Sequence, residues 1–448
     1  LAVKFRINNV LSLQVFQILR FTAFLLISVF FTKFHLSVEE IGEWELMLFI
    51  SSGISYFWIT GIIQSMIPLF NNNQVFRSSQ RPGLTKSPEF FNAFILLTVF
   101  SAVFTVFILG WGYFGLSGKS VEKIPYHNLL ALYFFFNNPG ALIEYIYLLK
   151  NKPHHIFYFG IVSFVLMLAM VCIPAYLGWG LIYSIWGLII FTILRYLFLV
   201  FLIIRYSALR FSWSFMKLNL KVGSPLILSA VLSGSTQYID GFLASIIRSS
   251  RDFAIFRFGT KELPFVNQMA NGLSNAMLTG FSDAEKTKES LIILKNKSLK
   301  LMHYLFPFSI IVMYFSEWLF NVFLFSEKFD RSADVFMVYL LIIISRLIFP
   351  HTVLIGMKKT RIILRASIIC IILNIGFSLF FIQFYGVVGL ALGTVVVLTL
   401  EKIYLILYNY FRLGIKPIDY IPVKWYLFYS SAIVLIFVLI DHGIIKTY

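Results

Sequence analysis

Residues 180–204 read GLIYSIWGLIIFTILRYLFLVFLII, twenty-five consecutive residues with a single charge, Arg195. An α-helix needs about 20 predominantly apolar residues to cross the hydrocarbon core of a bilayer. This stretch is long enough to span one and too apolar for water. The same test, with charge clusters as punctuation, finds thirteen candidate helices. They lie near 10–33, 41–70, 90–116, 125–149, 155–177, 180–204, 223–247, 253–281, 300–325, 334–357, 362–384, 387–410 and 425–441. The first run is too long for the core of a signal peptide and lacks a cleavage site, so it counts as a membrane helix. The connections are too short to be domains.

Composition agrees. The chain is 59% hydrophobic and 13% charged, whereas soluble domains are about 45–50% apolar and about 25% charged. The formal charge of +17 does not indicate nucleic acid, because Lys and Arg fall in short clusters between apolar runs rather than along one stripe. They act as topology signals instead. With the N-terminus inside, cytoplasmic segments carry 23 Lys and Arg and the opposite side carries 8. Short cytoplasmic loops accumulate such residues, so a multi-pass protein with a cytoplasmic N-terminus is expected. Cys172 and Cys370 both sit in apolar runs, which supports neither a disulfide framework nor a thiolate metal site.

The chain also repeats itself. Pro139 and Pro350 are 211 residues apart, and each precedes a basic turn, Lys150-Asn151-Lys152 and Lys358-Lys359-Thr360. Gly180-Leu181 recurs as Gly389-Leu390 at an offset of 209, each time after a charge-free hairpin. Glu40-Ile41-Gly42 aligns with Asp252-Phe253-Ala254 at an offset of 212. An even number of helices per unit makes such a repeat parallel rather than inverted. The expected architecture is all-α, with six-helix bundles at 1–210 and 211–415 and an additional transmembrane helix in 416–448.

Charged side chains at bilayer depth are costly and should face protein or a water-filled cavity. Six Lys and Arg remain at depth after the loop census: Arg20, Arg195, Arg257, Lys261, Arg346 and Lys402. The acidic residues there are Glu144, Asp240, Glu262, Glu317 and Glu401. In the eighth helix Arg257, Lys261, Gln268, Asn271 and Asn275 recur close to one helical face, and Pro264 within the stripe should weaken or kink that helix. Two readings stand side by side. In one, Arg20, Arg257, Lys261 and Arg346 form a cationic patch in a cavity between the halves, suited to phosphate or pyrophosphate oxygens, with Gln268, Asn271 and Asn275 beside them. In the other they pair with Glu144, Asp240 or Glu262 to hold helices together. Asp240, Glu144 and Glu262 are also candidates for ion coupling. Arg195, Glu317, Glu401 and Lys402 lie nearer helix ends and read as snorkelling or structural pairing. Gly389 and Gly393 have small-xxx-small spacing, which reads as a helix contact, and His154-His155 reads as solvated. Asn296-Lys297-Ser298 matches a glycosylation acceptor but falls on the expected cytoplasmic side. No zinc spacing, phosphate-cradling glycine loop or nucleophile elbow is visible, so no enzyme, metal or cofactor is expected.

The two six-helix halves, the Pro-centred fourth and tenth helices with their basic turns, and the segment Gly386–Gly393 (GVVGLALG) together resemble the polysaccharide and O-antigen flippases of the multidrug/oligosaccharidyl-lipid/polysaccharide (MOP) exporter superfamily. Many members have fourteen helices against the thirteen candidates here. The resemblance implies a transporter in the bacterial cytoplasmic (inner) membrane. It would move a lipid-linked anionic oligosaccharide, carried on polyprenyl pyrophosphate, to the outer leaflet, in contact with membrane lipids and other polysaccharide-assembly proteins. A cation-coupled multidrug exporter and a flippase for a lipid-linked peptidoglycan precursor share the scaffold. A membrane glycan polymerase fits less well, because every expected external loop is short.

Overall fold

The computed structural model describes residues 9–80, 86, 88–114, 125–261, 264–277, 281, 287–325, 327–357 and 359–445. Among them there are helices and no β-strand, as a bilayer requires of a chain that must satisfy its backbone internally. The contacts divide the chain into two compact units, Leu1–Val231 and Leu232–Tyr448.

The first unit contains α1 (Asn9–Lys33), α2 (Val38–Gln80), α3 (Glu89–Phe114), α4 (His127–Asn137), α5 (Ile143–Leu149), α6 (Pro153–Tyr176) and α7 (Leu181–Tyr206). It ends within α8 (Trp213–Ile247). The second unit continues with α9 (Ser250–Gly259), α10 (Pro264–Met277), α11 (Thr287–Tyr314), α12 (Ser316–Trp318), α13 (Asp330–Leu340), α14 (Ile343–Arg346) and α15 (Pro350–Gly356). It closes with α16 (Thr360–Tyr385), α17 (Val387–Leu413), α18 (Pro417–Tyr420) and α19 (Val423–Asp441).

Among the described residues eight helices are long and apolar enough to cross a membrane, and two bent pairs bring the number to ten. Each of the thirteen expected segments is helical, but four are interrupted where a single helix was expected. The fourth stops at Asn137, passes through a 3-10 turn at Pro139–Leu142 and resumes as α5. Pro139 has no N–H for the preceding turn, and Ala141 N donates instead to Asn138 O at 3.2 Å. The eighth is broken into α9 and α10, with Thr260 Oγ1 donating back to Phe256 O at the break (2.9 Å) and Pro264 starting the next helix. The ninth bends by 68° between α11 and the segment Ser316–Leu324, and the tenth by 44° before Pro350. Proline alone does not decide this, since Pro68, Pro174, Pro225 and Pro307 all sit inside continuous helices. Membrane helices accept proline where neighbours re-satisfy the freed backbone groups.

Packing inside each unit is close. Gly187 lets α7 approach α6 so nearly that an added Cβ would stand 2.0 Å from Met170 O. Gly389 does the same for α17 against α16, with Phe381 O at 2.3 Å, and a Cβ at Gly393 would meet Ser378. Both positions of the expected small-xxx-small pair are therefore helix contacts. The additional helix α19 docks on α11, where His303 Nδ1 and Tyr429 Oη lie 2.8 Å apart and Phe306 stacks on Tyr429. Outward-facing Ile368, Ile372, Leu379 and Phe380 of α16 are exposed, as suits a surface solvated by lipid.

Candidate functional site

The second unit holds a buried carboxylate in a polar cage. Asp240 on α8 is 2% exposed. Ser378 Oγ on α16 donates to its Oδ1 at 3.1 Å, and Thr394 Oγ1 on α17 donates to its Oδ2. Asn374, one turn before Ser378, has its Oδ1 3.3 Å from Ser378 Oγ as a second acceptor for the same hydroxyl proton, and donates to Thr394 Oγ1 at 3.3 Å. The close packing at Gly393 brings the α16 and α17 members of this set together. Hydrogen bonds to a charged group are worth about 1.5–3 kcal/mol each, which offsets part of the cost of desolvating one carboxylate. The donor set is one carboxylate with two hydroxyls and an amide, all hard oxygen ligands if the hydroxyls turn their lone pairs inward. That chemistry suits a proton or a hard monovalent cation rather than a soft metal. Among the described residues there is no cluster of three or more His, Cys, Asp or Glu side chains that could hold a metal ion.

In the first unit Glu144 on α5 is buried and faces Arg195 on α7, with Nη2 to Oε2 at 3.5 Å. Arg195 Nη2 also donates to Gly140 O at 3.2 Å, a carbonyl in the break between α4 and α5. The pair thus ties the interrupted fourth segment to the sixth. Arg20 on α1 is exposed and lies within electrostatic reach of Glu144.

The four cations expected in one chamber are divided between the units. Arg20 belongs to the first, while Arg257, Lys261 and Arg346 belong to the second. Arg257 is half-buried near the end of α9, and Lys261 follows in the break. The Lys261 ammonium sits over the rings of Phe258 and Phe325, 4.4 and 5.8 Å from their centroids. Arg346 ends α14 and lines a cavity of ≈ 30 Å³ with Val266, Ser309, Phe336 and Tyr339. The single-face stripe of the eighth helix is corrected: its periodicity holds only within α10, because α9 ends at Gly259 and α10 begins at Pro264. Asn271 is exposed on α10. Gln268 and Asn275 also lie on α10, with side chains outside the described set, and Glu262 lies outside the described residues.

Sequence reasoning picked out Asp240 from depth and missed its partners. The signal was available in Asn374 and Ser378, a polar i, i+4 pair within the apolar stretch 368–382 of α16.

A family model described as polysaccharide biosynthesis protein matches residues 80–334. Similar solved structures include the lipid II flippase MurJ in an inward closed conformation, 17% identical with a TM-score of 0.66, covering 96% of this chain and 92% of that one. An inward-facing multidrug resistance MATE family transporter of the MOP superfamily is 15% identical with a TM-score of 0.58, covering 88% and 94%. A MOP superfamily transporter from Pyrococcus furiosus is 16% identical with a TM-score of 0.55, covering 90% and 94%. No curated protein sequence matches the chain. Because the family match takes in more than half of the residues, this chain belongs to the polysaccharide biosynthesis protein family, and its fold is the one seen in MOP superfamily transporters.

Proposed function

We propose that the protein is a flippase of the bacterial cytoplasmic membrane. It carries a polyprenyl-pyrophosphate-linked oligosaccharide from the cytoplasmic to the outer leaflet for surface polysaccharide biosynthesis, by alternating access. The observation that carries this reading is the polysaccharide family match over residues 80–334, which favours a glycan cargo over a drug. The cationic side chains Arg20, Arg257, Lys261 and Arg346 fit the same cargo, because guanidinium and ammonium groups recognise pyrophosphate oxygens. Gln268, Asn271 and Asn275 supply neutral hydrogen-bonding groups for the sugar.

Energy for direction has two sources. A headgroup with about two negative charges moving outward across an inside-negative membrane gains roughly 4–5 kcal/mol per 100 mV. A cation bound in the Asp240 cage and moving inward gains from the same potential. In the state described here Ser378 and Thr394 give their hydroxyl protons to Asp240. A bound cation would turn those hydroxyls around and hold α8, α16 and α17 in a second arrangement. No covalent step is required.

The test is reconstitution of the full chain in proteoliposomes with a labelled polyprenyl-pyrophosphate oligosaccharide, scored by the fraction of headgroup reaching the opposite leaflet. Flipping should require a sodium or proton gradient and fall at least tenfold in Asp240→Asn and in the Arg257→Gln/Lys261→Gln double variant. Equal flipping by these variants, or transport of a lipid-linked peptidoglycan precursor or a cationic drug in place of the oligosaccharide, refutes the assignment.

A further inference from the structure

The second unit contains a charge cluster that the flippase reading does not use. His351 on α15 lies between two neighbours on α17: its Nε2 is 3.2 Å from Glu401 Oε1, and its Nδ1 is 2.8 Å from Lys402 Nζ. Glu401 and Lys402 are themselves 4.0 Å apart. These contacts fix the tautomer. An ammonium has no lone pair, so Lys402 must donate and Nδ1 must be bare. A carboxylate can only accept, so Nε2 carries the hydrogen. His351 is therefore neutral and bridges an acceptor and a donor.

Its position matters as much as its chemistry. Gly140, whose carbonyl Arg195 holds in the first unit, lies 211 residues before His351, the offset between Pro139 and Pro350. Each unit thus fastens the half-helix after its proline break to the sixth helix of that unit by charged side chains. The fastenings differ in one respect. A guanidinium keeps its proton at every physiological pH, whereas histidine changes charge between about pH 5 and 8 in an ordinary environment. A proton arriving at Nδ1 would face the Lys402 ammonium and remove the lone pair to which it donates.

We propose that His351 is a proton-binding site whose protonation releases α15 from α17. Among the described residues, the other charged or titratable groups that act on this cluster include Arg346 at the end of α14 and Cys370 on α16, which faces the Glu401–Lys402 pair. Arg361 and Arg365 of α16 point to the exterior, and α10 carries no titratable side chain. Protonation adds a positive charge where Arg346 and Lys402 already outnumber Glu401. Among the described residues, other polar ties from α15 to neighbouring helices are Ser274 to Thr352 at 2.7 Å and Asn409 Nδ2 to Pro350 O at 3.5 Å. The half-helix is bounded by the 44° bend before Pro350 and the turn after Gly356, so it has a pivot at each end.

The experiment uses the full chain in nanodiscs and does not depend on any cargo. Hydrogen exchange of residues 350–359, corrected for the intrinsic pH dependence, should show protection at pH 8 that falls at least tenfold by pH 5. In His351→Gln the amide mimics the neutral ring, accepting from Lys402 and donating to Glu401, so protection should change less than twofold over that range. Lys402→Met removes the repelled charge and should also flatten the response. In ¹⁵N-histidine spectra, the signal missing from His351→Gln should report the Nε2–H tautomer at pH 8 and titrate within the range. The proposal is overturned if wild-type protection is flat while this signal titrates, if the signal does not titrate, or if either variant keeps the full loss of protection. Any of these results leaves the flippase assignment to its own transport assay.

Discussion

Replacing Arg195 by Leu should destabilise the first unit far more than replacing Arg195 and Glu144 together. In the single variant the Glu144 carboxylate, 1% exposed, keeps its charge or takes up a proton without a partner, a situation that costs about 3–5 kcal/mol. The Gly140 carbonyl loses its 3.2 Å donor as well, adding about 1 kcal/mol. The double variant Arg195→Leu/Glu144→Leu retains only the second of these losses, because a buried ion pair replaced by apolar residues of similar volume is often neutral in stability. The cycle should therefore show a coupling of at least about 2 kcal/mol between the two positions. The assay is reversible unfolding in mixed micelles followed by tryptophan fluorescence, for wild type, both single variants and the double. Additive losses, or a single variant within about 1 kcal/mol of wild type, would refute the view that this pair fastens the interrupted fourth segment.

Gly389→Ala should force α16 and α17 apart, since the new Cβ would stand 2.3 Å from Phe381 O; a loss of about 1–3 kcal/mol is expected in the same unfolding assay. That displacement should also open the Asp240 cage, read as lost cation dependence in the transport assay. Thr394→Val, which removes one hydroxyl from Asp240, should shift the apparent cation affinity by about tenfold, the equivalent of about 1.4 kcal/mol, with the fold retained in thermal scans. Tyr420, buried in the connection between α17 and α19, has its phenol pushed up to about 12, chiefly by burial and against the opposing hydrogen bond from Asn409. Its folded value exceeds the unfolded one, so the stability it confers is complete below about pH 10 and is lost as pH rises toward 12. Tyr420→Phe should flatten that alkaline decline, measured by unfolding at pH 8 and pH 11.

Much of the fold was legible because the signal for a membrane helix is length and apolarity, and stretches such as 180–204 carry both. Interruption was harder to read. Pro264 and Pro139 mark breaks and follow polar residues (Lys261-Glu262 and Asn137-Asn138), but Pro350 also marks one and follows Ile348-Phe349, the kind of apolar setting in which Pro174 and Pro307 sit in continuous helices. The candidate site was partly visible. Asp240 stands out as an acid in an apolar run, yet Asn374, Ser378 and Thr394 are individually ordinary, and only folding brings α8, α16 and α17 together around it. His351 was passed over for the same reason, as its two partners are fifty and fifty-one positions away. The cationic stripe misled because a periodicity count assumes one uninterrupted helix.

The backbone contact at Gly187 bears on how the chain enters the bilayer during synthesis. Helices α6 and α7 approach closely at Gly187 and Met170 and meet in the turn Leu177-Gly178-Trp179, which carries no charge, so the turn itself can cross the bilayer without dragging an ion through hydrocarbon. The guanidinium on α7 is the pair's one burden at depth. Because α5 precedes α7 in the chain, the carboxylate that receives that burden is synthesised before the guanidinium it pairs with.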